Sequence, residues 1–124
     1  MLGIFGIFGR SQEIQRLDRA LRAAGLHPRA VADAVKIATV KQLRQENSAL
    51  PERESEAAEL IAYCAQGANG FALNNGVART EAVEARIERA IENGTSLDAR
   101  LVLLTLHAKL AHPSVIARYE LSSG

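Results

Sequence analysis

The stretch Leu97-Asp98-Ala99-Arg100-Leu101-Val102-Leu103-Leu104-Thr105-Leu106-His107-Ala108-Lys109-Leu110-Ala111 decides the fold. It is too long for one buried strand and carries too many polar groups for a membrane span of about 18 apolar residues. With Asp98 set at zero and about 100° per residue, Thr105 and Lys109 fall within about 20° of it. Those three residues mark one narrow polar stripe, and aliphatic side chains fill most of the remaining circumference. A helix with so little polar surface belongs in the middle of a bundle. The expectation is a central helix over 97–111 that shows water only Asp98, Thr105 and Lys109. Arg100 and His107 then fall on the far side, with Leu103 and Leu104 between them. A buried guanidinium needs a carboxylate or several carbonyls around it. Arg100, His107 and Tyr63 are therefore the candidate polar cluster, with Glu59, Glu84 and Glu88 as suppliers of countercharge.

Working outward, the other elements also read as helices. Ser11 can cap a helix over 11–24, in which Ile14, Leu17, Leu21 and Ala24 share one face. Gly25 ends it, and Leu26 can fold back onto it. Pro28 suits the first position of a helix over 28–46, because its missing amide has no partner to lose. Val31, Ala34, Val35 and Ala38 form one apolar stripe there, and Ile37, Val40 and Leu43 form a second. A helix apolar on two sides is sandwiched between neighbours or carries an oligomer contact. A third helix over 52–66 buries Ala57, Leu60, Ile61 and Cys64. The glycines and asparagines of 67–76 then mark turns, with room for one short helical turn at 71–73. Thr80 can cap a helix over 81–92, and a last short helix starts at Pro113. His27-Pro28 and His112-Pro113 read as one helix-entry device used twice. No segment alternates with period two, so the expected fold is an all-α, single-domain bundle of about five to six helices.

The chain divides into an apolar arm over 1–10, a helical domain over 11–121 and a short tail over 122–124. At 124 residues, with 48% hydrophobic and 23% charged side chains, it suffices for one ordinary domain. The arm repeats glycine every third residue around two Ile-Phe pairs, a period that fits neither helix nor strand. Ile4, Phe5, Ile7 and Phe8 are the candidate interface arm. It lacks the basic lead and cleavage site of a signal peptide, so none is expected.

Net charge is +1, but it is unevenly spread. Residues 1–44 carry eight basic and three acidic side chains, whereas residues 45–98 carry four basic and ten acidic ones. Arg16, Arg19, Arg22, Lys36, Lys41 and Arg44 form the candidate basic surface, which would suit a phosphate backbone. No aromatic residue interleaves them, and they complement the acidic helices that follow.

Specific chemistry finds little support. Cys64 is the one cysteine, which excludes an internal disulfide and a cysteine-rich zinc site and fits a reducing, cytoplasmic setting. Its place on an apolar face reads as packing. There is no phosphate-binding loop, nucleophile elbow or metal-ligand spacing. No catalytic residue, metal or other cofactor is expected. The reading is a small helical interaction or scaffolding protein that self-associates, with a dimer favoured. The alternatives are a small enzyme or ligand-binding protein with an anion-accepting cleft around Arg100 and His107, and a nucleic-acid binder using the basic first third.

Overall fold

In a computed structural model, which describes residues 11–46 and 51–121, Ser11, His27, Ser96 and His112 each open a helical element with a side-chain cap. Ser11 Oγ accepts the Ile14 amide at 3.2 Å and opens α1 (Gln12–Ala23). Gly25, at φ 88°, turns the chain, and the Leu26 amide returns to the Leu21 carbonyl at 2.9 Å. His27 Nδ1 accepts the Arg29 amide at 3.0 Å and starts a 3-10 turn, Pro28–Ala30. Val31 is then extended, so the single helix expected over 28–46 is instead this turn followed by α2 (Asp33–Gln45). Two carbonyls satisfied within a tight turn, those of His27 and Pro28, replace the first turn of an α-helix.

The largest departure from expectation is α3 (Pro51–Glu92). It runs through the stretch read as turns, interrupted by non-helical geometry at Gly67 (φ 81°, ψ 171°) and Gly76 (φ 85°, ψ 166°). The two glycines divide it into segments 51–66, 68–75 and 77–92. Only glycine adopts such dihedrals without strain, so the sequence signal for breaks was sound. The middle segment is longer than the single turn expected, because Phe71 is fully buried and anchors it. Asn75 adds a second anchor: its Nδ2 donates to the Ala24 carbonyl at 2.9 Å and so caps the end of α1. Thr80 lies inside a helix rather than at its start, with its Oγ donating to the Gly76 carbonyl at 2.7 Å.

Ser96 Oγ accepts the Ala99 amide at 3.1 Å and opens α4 (Leu97–His107). Lys109, at φ 59°, closes it, with the Leu110 amide on the Thr105 carbonyl at 2.9 Å. Residues 108–111 are therefore not helical, because a left-handed residue cannot continue the spiral. His112 Nδ1 accepts the Ser114 amide at 3.1 Å and opens α5 (Pro113–Tyr119), repeating the device at His27-Pro28. The fold is an all-α bundle, with no strand among the described residues.

The Leu-rich helix α4 packs against α2 and α3, as a central helix should. Its rotation about its own axis is the reverse of the expected one. Ala99, Leu101, Val102, Thr105 and Leu106 are buried, while Leu103 and His107 are exposed and Arg100 and Leu104 are half-buried. Thr105 was expected on the solvent stripe and is fully buried. Its Oγ donates to the Val102 carbonyl at 2.7 Å, which removes the cost of burying a hydroxyl. Arg100 and His107 cannot be satisfied within one turn of their own helix and lie on its more exposed side.

Two clusters form the core. Leu17, Leu21, Val31, Val35, Val40, Ala58 and Ile61 join α1, α2 and the start of α3. Leu60, Tyr63, Phe71, Ile87, Leu101, Val102 and Val115 join α3, α4 and α5. Leu26 and Leu104 pack against both, so the two make one continuous interior. Each fully buried leucine contributes roughly 1.5–3 kcal/mol. Both stripes of α2 are covered except at Ala34 and Ile37, and Ile37 is 56% exposed. No helix among the described residues is long and apolar enough to cross a membrane.

Candidate functional site

The break at Gly67 faces the entry to α5, and a cleft of about 340 Å³ lies between them. Tyr63, Gln66, Gly67, Ala68 and Asn69 line it from α3. His112, Ser114, Val115 and Arg118 line it from the α5 side. The junction is tied together by the His112 amide, which donates to the Cys64 carbonyl at 2.7 Å.

One wall is a polar network. Tyr63 Oη donates to Glu84 Oε2 at 2.8 Å and lies 3.2 Å from Tyr119 Oη. Since the Tyr63 proton is committed to Glu84, Tyr119 is the donor between the two hydroxyls. Arg118 Nη1 donates to the same Glu84 oxygen at 2.7 Å. Burial pushes the Tyr63 hydroxyl well above the ordinary phenol range, and the bond it donates to Glu84 acts in the same direction, so it remains a proton donor. Burial likewise raises Tyr119.

The opposite wall is the helix entry. His112 Nδ1 accepts a backbone amide and also lies 2.8 Å from Ser114 Oγ. A ring nitrogen that accepts an amide carries no proton, so the neutral ring holds its proton on Nε2. Between the walls, Gln66 Nε2 is buried without a hydrogen-bond partner. Gln66, Ser114 and Arg118 were absent from the sequence candidates. The signals that point to them are the glycine after Gln66 and the His-Pro-Ser entry.

The candidate cluster of Arg100, His107 and Tyr63 is not assembled. Arg100 Nε donates to Gln42 at 2.7 Å, Nη1 donates to the Thr95 carbonyl at 2.9 Å, and Nη2 pairs with Glu46. His107 is exposed at the end of α4. Tyr63 belongs to the Glu84 network and packs edge-on to Phe71 at 5.8 Å. The reversed rotation of α4 accounts for the separation, because it carries Arg100 toward α2.

Half of the candidate basic surface is held in ion pairs. Arg16 bonds Glu54 at 2.9 Å, and Arg44 bonds Glu13. The Arg44 guanidinium holds the Glu13 carboxyl below the usual carboxylate range. Lys36 is 3% exposed and pairs with Asp18 at 2.9 Å, which removes it from the surface altogether. Arg19, Arg22 and Lys41 are exposed. Ile4, Phe5, Ile7 and Phe8 lie outside the described residues.

Cys64 is fully buried, and desolvation pushes its thiol up to about 11 against the pull of Thr105 and Arg86. It is not poised as a nucleophile. No group of three metal-ligating side chains occurs among the described residues.

A second cavity, of about 150 Å³, is lined by residues without polar side chains: Ala90, Ile91, Gly94, Ala99, Val102, Leu103 and Leu121. Ile91 is 51% exposed and Leu103 is 42% exposed at its edge. No protein-family model, curated protein or solved structure matches this chain.

Proposed function

We propose that this chain is a cytoplasmic helical interaction module that self-associates as a dimer through the apolar groove between the last segment of α3 and α4. The observation that carries the reading is the pairing of a groove without polar side chains with two half-exposed aliphatic residues on its rim, Ile91 and Leu103. Such a surface offers nothing to orient a polar substrate, which needs a few placed donors or acceptors. It suits a partner's aliphatic side chain. A two-fold axis places the same patch on both subunits, so one patch must supply both the projection and the hollow. Leu103 and the groove meet that condition, with Leu103 of each copy filling the groove of the other. Covering apolar atoms there recovers about 25 cal/mol per Å² removed from water.

The charge pattern weighs against the nucleic-acid reading. Arg16, Lys36 and Arg44 hold acidic partners, which reduces the cationic surface available to phosphates. The reducing setting rests on the lone, buried Cys64.

Sedimentation equilibrium tests the proposal. The wild type should approach twice the 13.3 kDa chain mass as concentration rises. Leu103→Asp should remain at the monomer mass with unchanged helicity. A wild type that stays monomeric throughout, or a Leu103→Asp variant that associates as well as the wild type, overturns it.

A further inference from the structure

We propose that the cleft between Gly67 and α5 is a binding site for a small monocarboxylate with a short apolar body. This site is separate from the apolar groove and does not depend on self-association.

Gln66 Nε2 is buried with no acceptor, and a buried donor left unpaired costs about 1–3 kcal/mol. His112, with Nδ1 occupied by the Ser114 amide, carries its proton on Nε2. Arg118 is the one charged residue in the lining, and its Nη1 bond to Glu84 leaves the rest of its donors uncommitted there. Gln66, His112 and Arg118, from three different turns of chain, thus line one cavity of about 340 Å³. Against them the lining offers no carboxylate. A ligand that brings acceptors and negative charge completes the site.

The charge balance selects among anions. Arg118 is the single cation, and Glu84 already draws on it through the 2.7 Å bond. A dianion such as phosphate would be left under-compensated, whereas a singly charged carboxylate is matched. Ala68, Val115 and the Tyr63 ring supply apolar wall, which favours a short aliphatic or aromatic acid over a bare anion. The frame is also rigid. Tyr63 and Arg118 converge on one Glu84 oxygen, which fixes the guanidinium before the ligand arrives. Gly67 leaves the space open, because a Cβ there would stand 2.7 Å from Ser114 Oγ.

Amide chemical shifts of the full chain, titrated with sodium butyrate, butyramide or sodium phosphate at constant ionic strength, test the proposal. Butyrate should give saturable shifts centred on Gly67, Ala68 and Ser114. Butyramide and phosphate should bind at least about tenfold more weakly, the factor expected from losing one charge-assisted hydrogen bond. Arg118→Gln and Gln66→Ala, each checked for an unchanged spectrum away from the cleft, should each weaken butyrate by about tenfold or more. Absence of saturable shifts with butyrate overturns the site. Equal binding of butyramide, tighter binding of phosphate, or undiminished butyrate binding by both variants overturns the assignment of a monocarboxylate. Association in the ultracentrifuge reads the groove alone, so failure of one proposal is distinguishable from failure of the other.

Discussion

Gly67 and Ser114 stand too close for a side chain between them: a Cβ added at Gly67 would lie 2.7 Å from Ser114 Oγ, closer than real Cβ contacts come. Gly67 also stands at φ 81°, in the region that side chains with a Cβ rarely adopt. Gly67→Ala therefore combines backbone strain with a clash, and should destabilise by about 1–3 kcal/mol or more. Gly76→Ala is the matched control, since it carries the strain (φ 85°) without a neighbour within 4 Å. Chemical denaturation should rank Gly67→Ala below Gly76→Ala. The reverse ranking contradicts the packing of α3 against the α5 entry.

The Asp18–Lys36 pair gives a second test. Lys36 is nearly inaccessible, so removing its countercharge should leave an ammonium group stranded. Asp18→Asn should cost about 2–3 kcal/mol, at the low end for a buried pair because Asp18 keeps some exposure. The double variant Asp18→Leu with Lys36→Met should recover most of that loss, because matched apolar groups avoid desolvating two charges. A denaturation midpoint for Asp18→Asn equal to wild type contradicts the burial of Lys36.

Alkaline pH should weaken the fold through Cys64. Its thiol is pushed up from 9.0 to about 11 in the folded chain. Between those values the unfolded thiol ionises and the folded one does not, so unfolding gains free energy as pH rises. The stability contribution is intact below pH 9 and falls across the window by roughly 2–3 kcal/mol. Cys64→Ala should lose less stability than wild type between pH 9 and 11, with Tyr63 accounting for a remainder that begins nearer pH 10. Parallel pH profiles for the two proteins contradict the burial of the thiol.

Helix starts and stops were the legible part of the sequence. Ser11, Gly25-Leu26 and His112-Pro113 each act at the ends they marked, because a cap is a local bond between neighbours in the chain, whereas His27-Pro28 opens only a 3-10 turn. Rotation of α4 was not legible from its polar stripe. A leucine-rich helix has an apolar residue at almost every angle, so three residues, Asp98, Thr105 and Lys109, decided the expected face. Threonine is a poor guide, because Thr105 bonds its own helix at Val102 and is cheap to bury. Arg100 and His107 were the better signal, since neither can satisfy its polar atoms within one turn of helix. The same error separated Arg100 from Tyr63 and left the Gly67 cleft unanticipated. The cleft depends on the approach of α5 to a break in α3, a long-range contact that no local pattern records.

Thiol labelling at two engineered positions tests the account most directly. In a Cys64→Ala background, Leu103→Cys and Thr105→Cys are each reacted with a chromogenic disulfide reagent in dilute and concentrated protein. The account predicts rapid labelling of Leu103→Cys when dilute, slowing as the protein is concentrated and the groove is covered. It predicts slow labelling of Thr105→Cys at both concentrations, governed by unfolding. Rapid labelling of Thr105→Cys with protection of Leu103→Cys in dilute protein would contradict the orientation of α4, and a concentration-independent rate at Leu103→Cys would contradict its place in a dimer contact.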